Sequence, residues 1–345
     1  DGFGVSMGGS GLMATSRDFM LFALLILNNG KLNGKQYISA DYIKESTSFQ
    51  TATCVTGPVP SESQGYGLQF WIGEHGSIVC YGMGGQLAIL LPEYNTAIVT
   101  TADTQGYQGG NQVIYDAIFR HILPELEKKK APWTPTDEEK LAFEQFMSKL
   151  AMRPLNHNKS ASESWNNKFE NVNDINTSFL TNFRPIMSSF EGTYVIKKVS
   201  DAAKTLDKNI INETIWDEIS FEMSDPLTPS AMGKVALKCH VSPPNTDSTV
   251  TFEFGFGVLK EGTLNMTTHM GNRADEPVPV SMHYAASAEW LSENMLYIRV
   301  HLLDTSVGSI HIQAVFGESD VTIFLRKQEE TLFGEFSGHL YGTRQ

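Results

Sequence analysis

From about Phe190 to the C-terminus the chain consists of short alternating runs separated by turn residues, and this pattern constrains its fold more than any other feature. The runs are Thr193–Lys197, Val235–Val241, Thr249–Phe256, Met295–Leu302, Ile310–Phe316 and Val321–Arg326. A period of two, with Gly, Pro, Asn or Asp between runs, predicts an antiparallel barrel or sandwich. Phe252, Phe254 and Phe256 share one face of one such strand. Core packing is the expected role of that face, ahead of ligand stacking.

The first 127 residues follow another rule. Phe19–Leu27 is an apolar helical run. Thr15 or Ser16 suits its cap, Asp18 its positive start and Gly30 a left-handed stop. A second helix is expected after Ser39, then a Gly/Pro/Ser-rich loop over roughly 50–65. Strands are predicted at Tyr66–Ile72, Ser77–Tyr81, Gln86–Leu91 and Thr96–Thr101, the last two forming a hairpin about Pro92-Glu93-Tyr94-Asn95. Residues 111–127 read as an amphipathic helix with Val113, Ile114, Ala117, Ile118 and Ile122 on its apolar side.

Lys128–Pro135 joins like charges to two prolines and reads as a linker. Thr136 with Glu139 is a capping-box pattern for a helix to about Met152, followed by an irregular Asn/Ser-rich stretch over 153–180. The predicted organisation is therefore an α+β chain: an antiparallel sheet with flanking helices over 1–127, a linker with one helix over 128–185, and an antiparallel β domain over 186–345. Two domains fit a length of 345 residues.

Charge narrows the function. Lys plus Arg number 26 against 39 Asp plus Glu, a net −13, which argues against nucleic-acid or anionic-membrane binding. The longest apolar run, Phe19–Leu27, is too short to cross a bilayer. Cys54, Cys80 and Cys239 form no Cys-x-x-Cys pair, so neither a zinc site nor a disulfide scaffold is expected. His301 and His311 lie on separate strands, and an incidental pair is expected there rather than a metal site. His75 reads as a solvated turn residue, Cys80 as core filler, and Asp103 and Thr104 as loop or capping residues.

Gly82-Met83-Gly84-Gly85-Gln86 sits between two apolar strands, where glycines allow a bulge or close approach of a ligand. Its context carries a resemblance. Gly11-Leu12-Met13-Ala14-Thr15-Ser16-Arg17-Asp18-Phe19, Leu27–Lys35, Tyr66-Gly67-Leu68-Gln69-Phe70-Trp71, Cys80–Gln86, Leu91-Pro92-Glu93 and Ala97–Thr101 occur in order over about 100 residues. This succession resembles the class C β-lactamase-like serine hydrolases, which include penicillin-binding-protein relatives and esterases. The chain's end, through Ala288-Glu289-Trp290, Glu293–Leu296 and Phe333–Gly342, is similar to members with a C-terminal β extension.

The resemblance implies acyl transfer to a serine in Ser-x-x-Lys, with a Tyr-x-Asn element as base or relay and a Lys-Thr-Gly-like strand forming the oxyanion hole. It implies no metal or organic cofactor, and an extracytoplasmic location. On Cys80-Tyr81-Gly82 it implies the third element without its cation, which removes the usual partner of a β-lactam carboxylate. Met83 N–H is then the oxyanion donor and Gly82 admits a substrate carbonyl, with Cys80, Tyr81, Gly84, Gly85 and Gln86 as substrate-binding neighbours. No serine is followed three places later by lysine, and no Tyr-x-Asn occurs. Ser164-Trp165-Asn166, Ser292-Glu293-Asn294 and His269-Met270-Gly271 match looser patterns after the strand they should precede or form, as chance does in short motifs.

The chain thus reads as the C-terminal portion of an acyl hydrolase or transferase for an ester, amide or peptide bond, itself expected to be inactive. On this reading the upstream region is expected to be missing here or supplied by a partner chain. The alternative is a non-catalytic module whose β domain binds a cell-wall, glycan or hydrophobic ligand in a cavity lined by Phe252, Phe254 and Trp290.

Overall fold

The computed structural model describes residues 9, 11–57, 59–104, 109–128, 134–155, 190–200, 213–223, 232–242, 246–268, 278–292, 294–303, 308–328 and 336–345. The candidate patterns at 164–166 and 269–271, Glu293 and nearly all of the 153–180 stretch lie outside them. The chain divides into two units, Asp1–Ser148 and Lys149–Gln345.

The first unit opens with α1 (Ser16–Leu27), whose cap Thr15 accepts a hydrogen bond from the Asp18 amide. Gly30, at φ 80°, ends the turn after it. A small hairpin of β1 (Lys31–Leu32) and β2 (Lys35–Gln36) leads to α2 (Ala40–Ser46), capped by Ser39. Five antiparallel strands follow in sequence order: β3 (Gly65–Tyr66), β4 (Trp71–Ile72), β5 (Ile78–Cys80), β6 (Leu87–Leu91) and β7 (Thr96–Thr100). The hairpin expected at Pro92–Asn95 is present, with Asn95 left-handed.

The single strand expected over Tyr66–Ile72 is instead two short strands folded on each other. Gln69 takes a φ of 72° in the reversal. Gly67 donates to the Phe70 carbonyl and Leu68 to that of Ser46. A Cβ on Gly67 would lie 2.1 Å from the Ser46 oxygen, so only glycine allows this approach.

Strand β6 is buried along its whole length, which explains its unbroken apolar sequence. Ala88 and Leu90 face Ala23, Ile26 and Ile43 on one side. Leu87 and Ile89 face Tyr115 and Ile118 on the other. The latter residues belong to a helical stretch of α3 (Gln112–Ala117), a π turn (Ile118–Ile122) and α4 (Leu123–Lys128). That π turn corrects the expected apolar face. Val113 and Ile122 are exposed, whereas Tyr115, Ile118 and Leu123 are buried. Leu123 follows Ile118 by five positions, the spacing a π turn imposes. α5 (Asp137–Met147) has the expected Thr136–Glu139 capping box but stops at Met147, short of Met152.

The second unit contains β8 (Gly192–Val199), β9 (Glu213–Met223), β10 (Met232–Ser242), β11 (Thr246–Phe256), β12 (Lys260–Thr268), β13 (Val278–Ser292), β14 (Met295–Leu302), β15 (Gly308–Phe316), β16 (Asp320–Gln328) and β17 (Phe336–Arg344). Nine of them close a barrel, which resolves the choice between barrel and sandwich. Each pairs antiparallel with its neighbour except at one seam, where Gly255 and Phe256 of β11 pair in parallel with Ser287 and Ala288 of β13. β12 occupies the same edge of β13 over residues 278–286.

Alternation sends every second side chain inward, as in Leu296, Ile298, Val300 and Leu302 of β14. Around Phe316 the rings of Phe190, Tyr194, Phe221 and Trp290 lie 4.7–6.1 Å away, centre to centre. Ala286, Ala288 and Ala314 leave room for them within the same core. Phe252, Phe254 and Trp290, named above as lining for an open cavity, are 1%, 0% and 3% exposed in that core. No helix among the described residues is long and apolar enough to cross a membrane.

Candidate functional site

The segment Cys80–Gln86 lies where the central strand of the five-stranded sheet ends. Pairing of β5 with β4 stops at Val79, while pairing with β6 continues to Cys80 opposite Ala88. The β4-side edge of the chain beyond Val79 is therefore not part of the ladder. Alternation separates the predicted neighbours: Cys80 packs on the α1 side of the sheet and Tyr81 on the side of Tyr115 and Ile118. The ring of Tyr81 lies 5.9 Å from that of Trp71.

Met83–Gly85 forms a single tight turn, non-helical at Gly84, after extended Gly82. Met83 is its first residue, and such a residue has an amide with no partner inside the turn. Its side chain is exposed. Gly84 and Gly85 have φ of 72° and 93°, a backbone that favours glycine. At Gly85 space also excludes a side chain, because a Cβ would come 2.6 Å from Ile114 Cδ1 and 3.0 Å from Ala102 Cβ.

Four contacts pin this turn from outside. Thr104 N donates to Gly84 O at 3.0 Å, Thr100 Oγ1 to Gly85 O at 2.8 Å, and Gln86 Nε2 to Ala102 O at 2.5 Å. Asn111 Nδ2 reaches Gly82 O at 3.4 Å, while its Oδ1 accepts from Thr104 Oγ1 at 2.7 Å. Thr104 is thus a buried clamp on the turn, in place of the loop or capping role expected of it. Asn111, 4% exposed, carries no local sequence signal for this role. It stands at a helix start in a Gly-Gly-Asn context, where the default role is a cap, yet it makes no cap bond.

Burial pushes the Cys80 thiol up to about 12, which disfavours the thiolate. His75 is exposed with φ 56°, its ring 4.6 Å from that of Phe119. No group of three or more potential metal-ligating side chains occurs among the described residues.

A second group that the sequence did not reveal lies behind α3. Tyr115 donates to Glu62 Oε1 at 2.5 Å, and Glu62 is fully buried. Burial pushes the Glu62 carboxyl up to about 7, against a smaller downward effect of the Tyr115 hydrogen bond. The Tyr115 phenol is pushed up by its own burial, then by Glu62, with a further contribution from Tyr81. Beside them Ser61 donates to Glu74 and accepts from Gln112. The loop at 60–62 is thereby tied to the helix whose Ile114 and Asn111 brace the glycine turn.

No family model matches this chain, and no curated protein matches it. Among solved structures, As-p18, an extracellular fatty acid binding protein, is similar over 46% of this chain and 97% of its own, at 10% identity and a TM-score of 0.26. A superposition that loose carries nothing to this chain.

Proposed function

We propose that the first unit is the closing part of the catalytic domain of a β-lactamase-like serine hydrolase, and that the Gly82–Gln86 turn forms the oxyanion side of its cleft. The observation that carries this reading is the turn itself: a glycine-dependent bend at the end of a central strand, held by four hydrogen bonds, with the Met83 amide at its start. Fixed donors of this kind stabilise charge that appears only in the transition state. Two-sided covering of the sheet by α1 and α3 fits the same architecture.

No Ser-x-x-Lys or Tyr-x-Asn occurs in these 345 residues, so this reading needs its nucleophile and base from another segment or chain. Leu12, Met13, Leu21 and Phe22, before and on the far side of α1, are exposed. Apolar residues around a whole helix are ordinarily covered, so this face favours a further segment or chain completing the unit. The complete enzyme would act outside the cytoplasm on an ester, amide or peptide bond, with no cofactor required by the reading.

Labelling with a fluorophosphonate or penicillin probe tests the proposal. This chain alone should take up no stoichiometric serine label. The product of the gene extended upstream, carrying a Ser-x-x-Lys, should be labelled and should hydrolyse a p-nitrophenyl ester. Stoichiometric labelling of the chain alone overturns the reading.

A further inference from the structure

We propose that the outward face of strands β14–β16 binds an oxyanion, a carboxylate or phosphate, held by Arg299 and Arg326 with His311 fixed between them. The inference is independent of the hydrolase reading, since it concerns only the barrel. Register brings the three together: Arg299 lies directly opposite His311, and His311 directly opposite Arg326. Strands spaced about 4.8 Å apart set this row within about 10 Å.

All three side chains are half-buried, although they point away from the barrel core. Their inward neighbours Ile298, Val300, Ile310, Ile312, Ile323 and Leu325 fill that core. His311 is held at both nitrogens, Nδ1 2.6 Å from the Tyr297 hydroxyl and Nε2 2.9 Å from Ser309 Oγ. The Tyr297 and His311 rings stack at 6.0 Å. The imidazole is therefore a fixed wall of the row.

Arg299 supplies the observation that points to a ligand. Its Nε is buried and donates to no acceptor. Among the described residues it makes no ion pair. The charge is felt locally, because Arg299 lowers the Tyr297 phenol against the larger upward effect of burial. Glu289, opposite Tyr297 and one row away, has its own carboxyl pushed up by burial. A buried donor on a cationic side chain costs free energy until an acceptor meets it. An oxyanion supplies that acceptor, and guanidinium presents the planar fork that carboxylates and phosphates match. The serine hydroxyls of Ser309 and Ser287 flank the row, Ser287 already accepting from the Leu155 amide.

The test is an NMR titration of the whole chain with inorganic phosphate, ionic strength being held constant with chloride. Saturable shifts at one site are expected for the Arg299 Nε–H and His311 ring signals. Arg299→Gln should weaken phosphate binding about ten- to hundredfold. Lys260→Gln, which breaks an exposed pair with Glu253 elsewhere on the barrel, should leave it unchanged. If Arg299→Gln fails to fold by circular dichroism, Arg326→Gln carries the same expectation. A tetraglutamate peptide that displaces phosphate, with the same arginine dependence, assigns the anion to a protein carboxylate; failure to displace assigns it to a free small ion. No saturable shift, or undiminished binding in a folded arginine variant, overturns the proposal.

Discussion

The Tyr115 hydroxyl donates to one carboxyl oxygen of Glu62, and the other oxygen is buried with no partner. The pair is neutral when Glu62 is protonated, which its raised affinity for a proton, to about 7, favours. Unfolded, the same carboxyl titrates near 4.5. Between these values the folded chain holds more protons than the unfolded one, so stability falls as pH rises from about 4.5 to 7 and then levels off. Glu62→Gln keeps an acceptor for Tyr115 and removes the charge. Denaturant melts should show the variant matching the parent near pH 4 and exceeding it by about 2–3 kcal/mol at pH 8. Equal stabilities at pH 8 would sink this assignment.

The π turn makes a contrast between adjacent residues. Leu123→Ala should cost about 2–5 kcal/mol, because Leu123 is buried. Ile122→Ala, at an exposed position, should change stability by no more than about 0.5 kcal/mol. An uninterrupted α-helix would reverse the order, so urea unfolding of the two variants decides it.

Gly85→Ala combines a disfavoured φ with contact against Ile114 and Ala102. A loss of about 1–3 kcal/mol is expected. Ile114→Ala clears the nearer contact and should recover part of that loss in the double variant, while the φ strain remains. A double variant whose losses merely add would show that the two residues do not meet.

Phe316 touches four other rings inside the barrel. Phe316→Ala should lower the stability of the barrel by about 3–5 kcal/mol. Calorimetry should show the barrel transition moving while the transition of the first unit stays in place. An unchanged barrel transition would mean the ring cluster contributes little.

Much of this was readable in the sequence, for reasons that also mark the limit. Met295–Leu302 was predicted to the residue because a strand with one wet and one dry face records its period in every side chain. Thr136, and Thr15 as one of two candidates with Ser16, are readable as caps because a cap needs a hydroxyl or carboxylate at one local position. The doubling back at Gln69 was not, since it depends on Ser46, twenty-odd residues upstream. Nor was the π turn, because Ile118, Ile122 and Leu123 are equally apolar and only packing chooses among them. At the site, the glycines of residues 82–85 announced a special backbone, whereas Asn111, Thr104 and Glu62 are polar residues whose burial no local pattern records.

Strand β13 is long enough to serve two partners along one edge, and the ring is shut by only two of its residue pairs, Gly255 with Ser287 and Phe256 with Ala288. Every other join in the ring is a longer antiparallel zip. A cylinder made this way has a clasp. Pulled or warmed, it should unfasten there first and lie open as a curved sheet with its remaining strand pairs intact, so the amides of those few residues set how long the cylinder stays a cylinder.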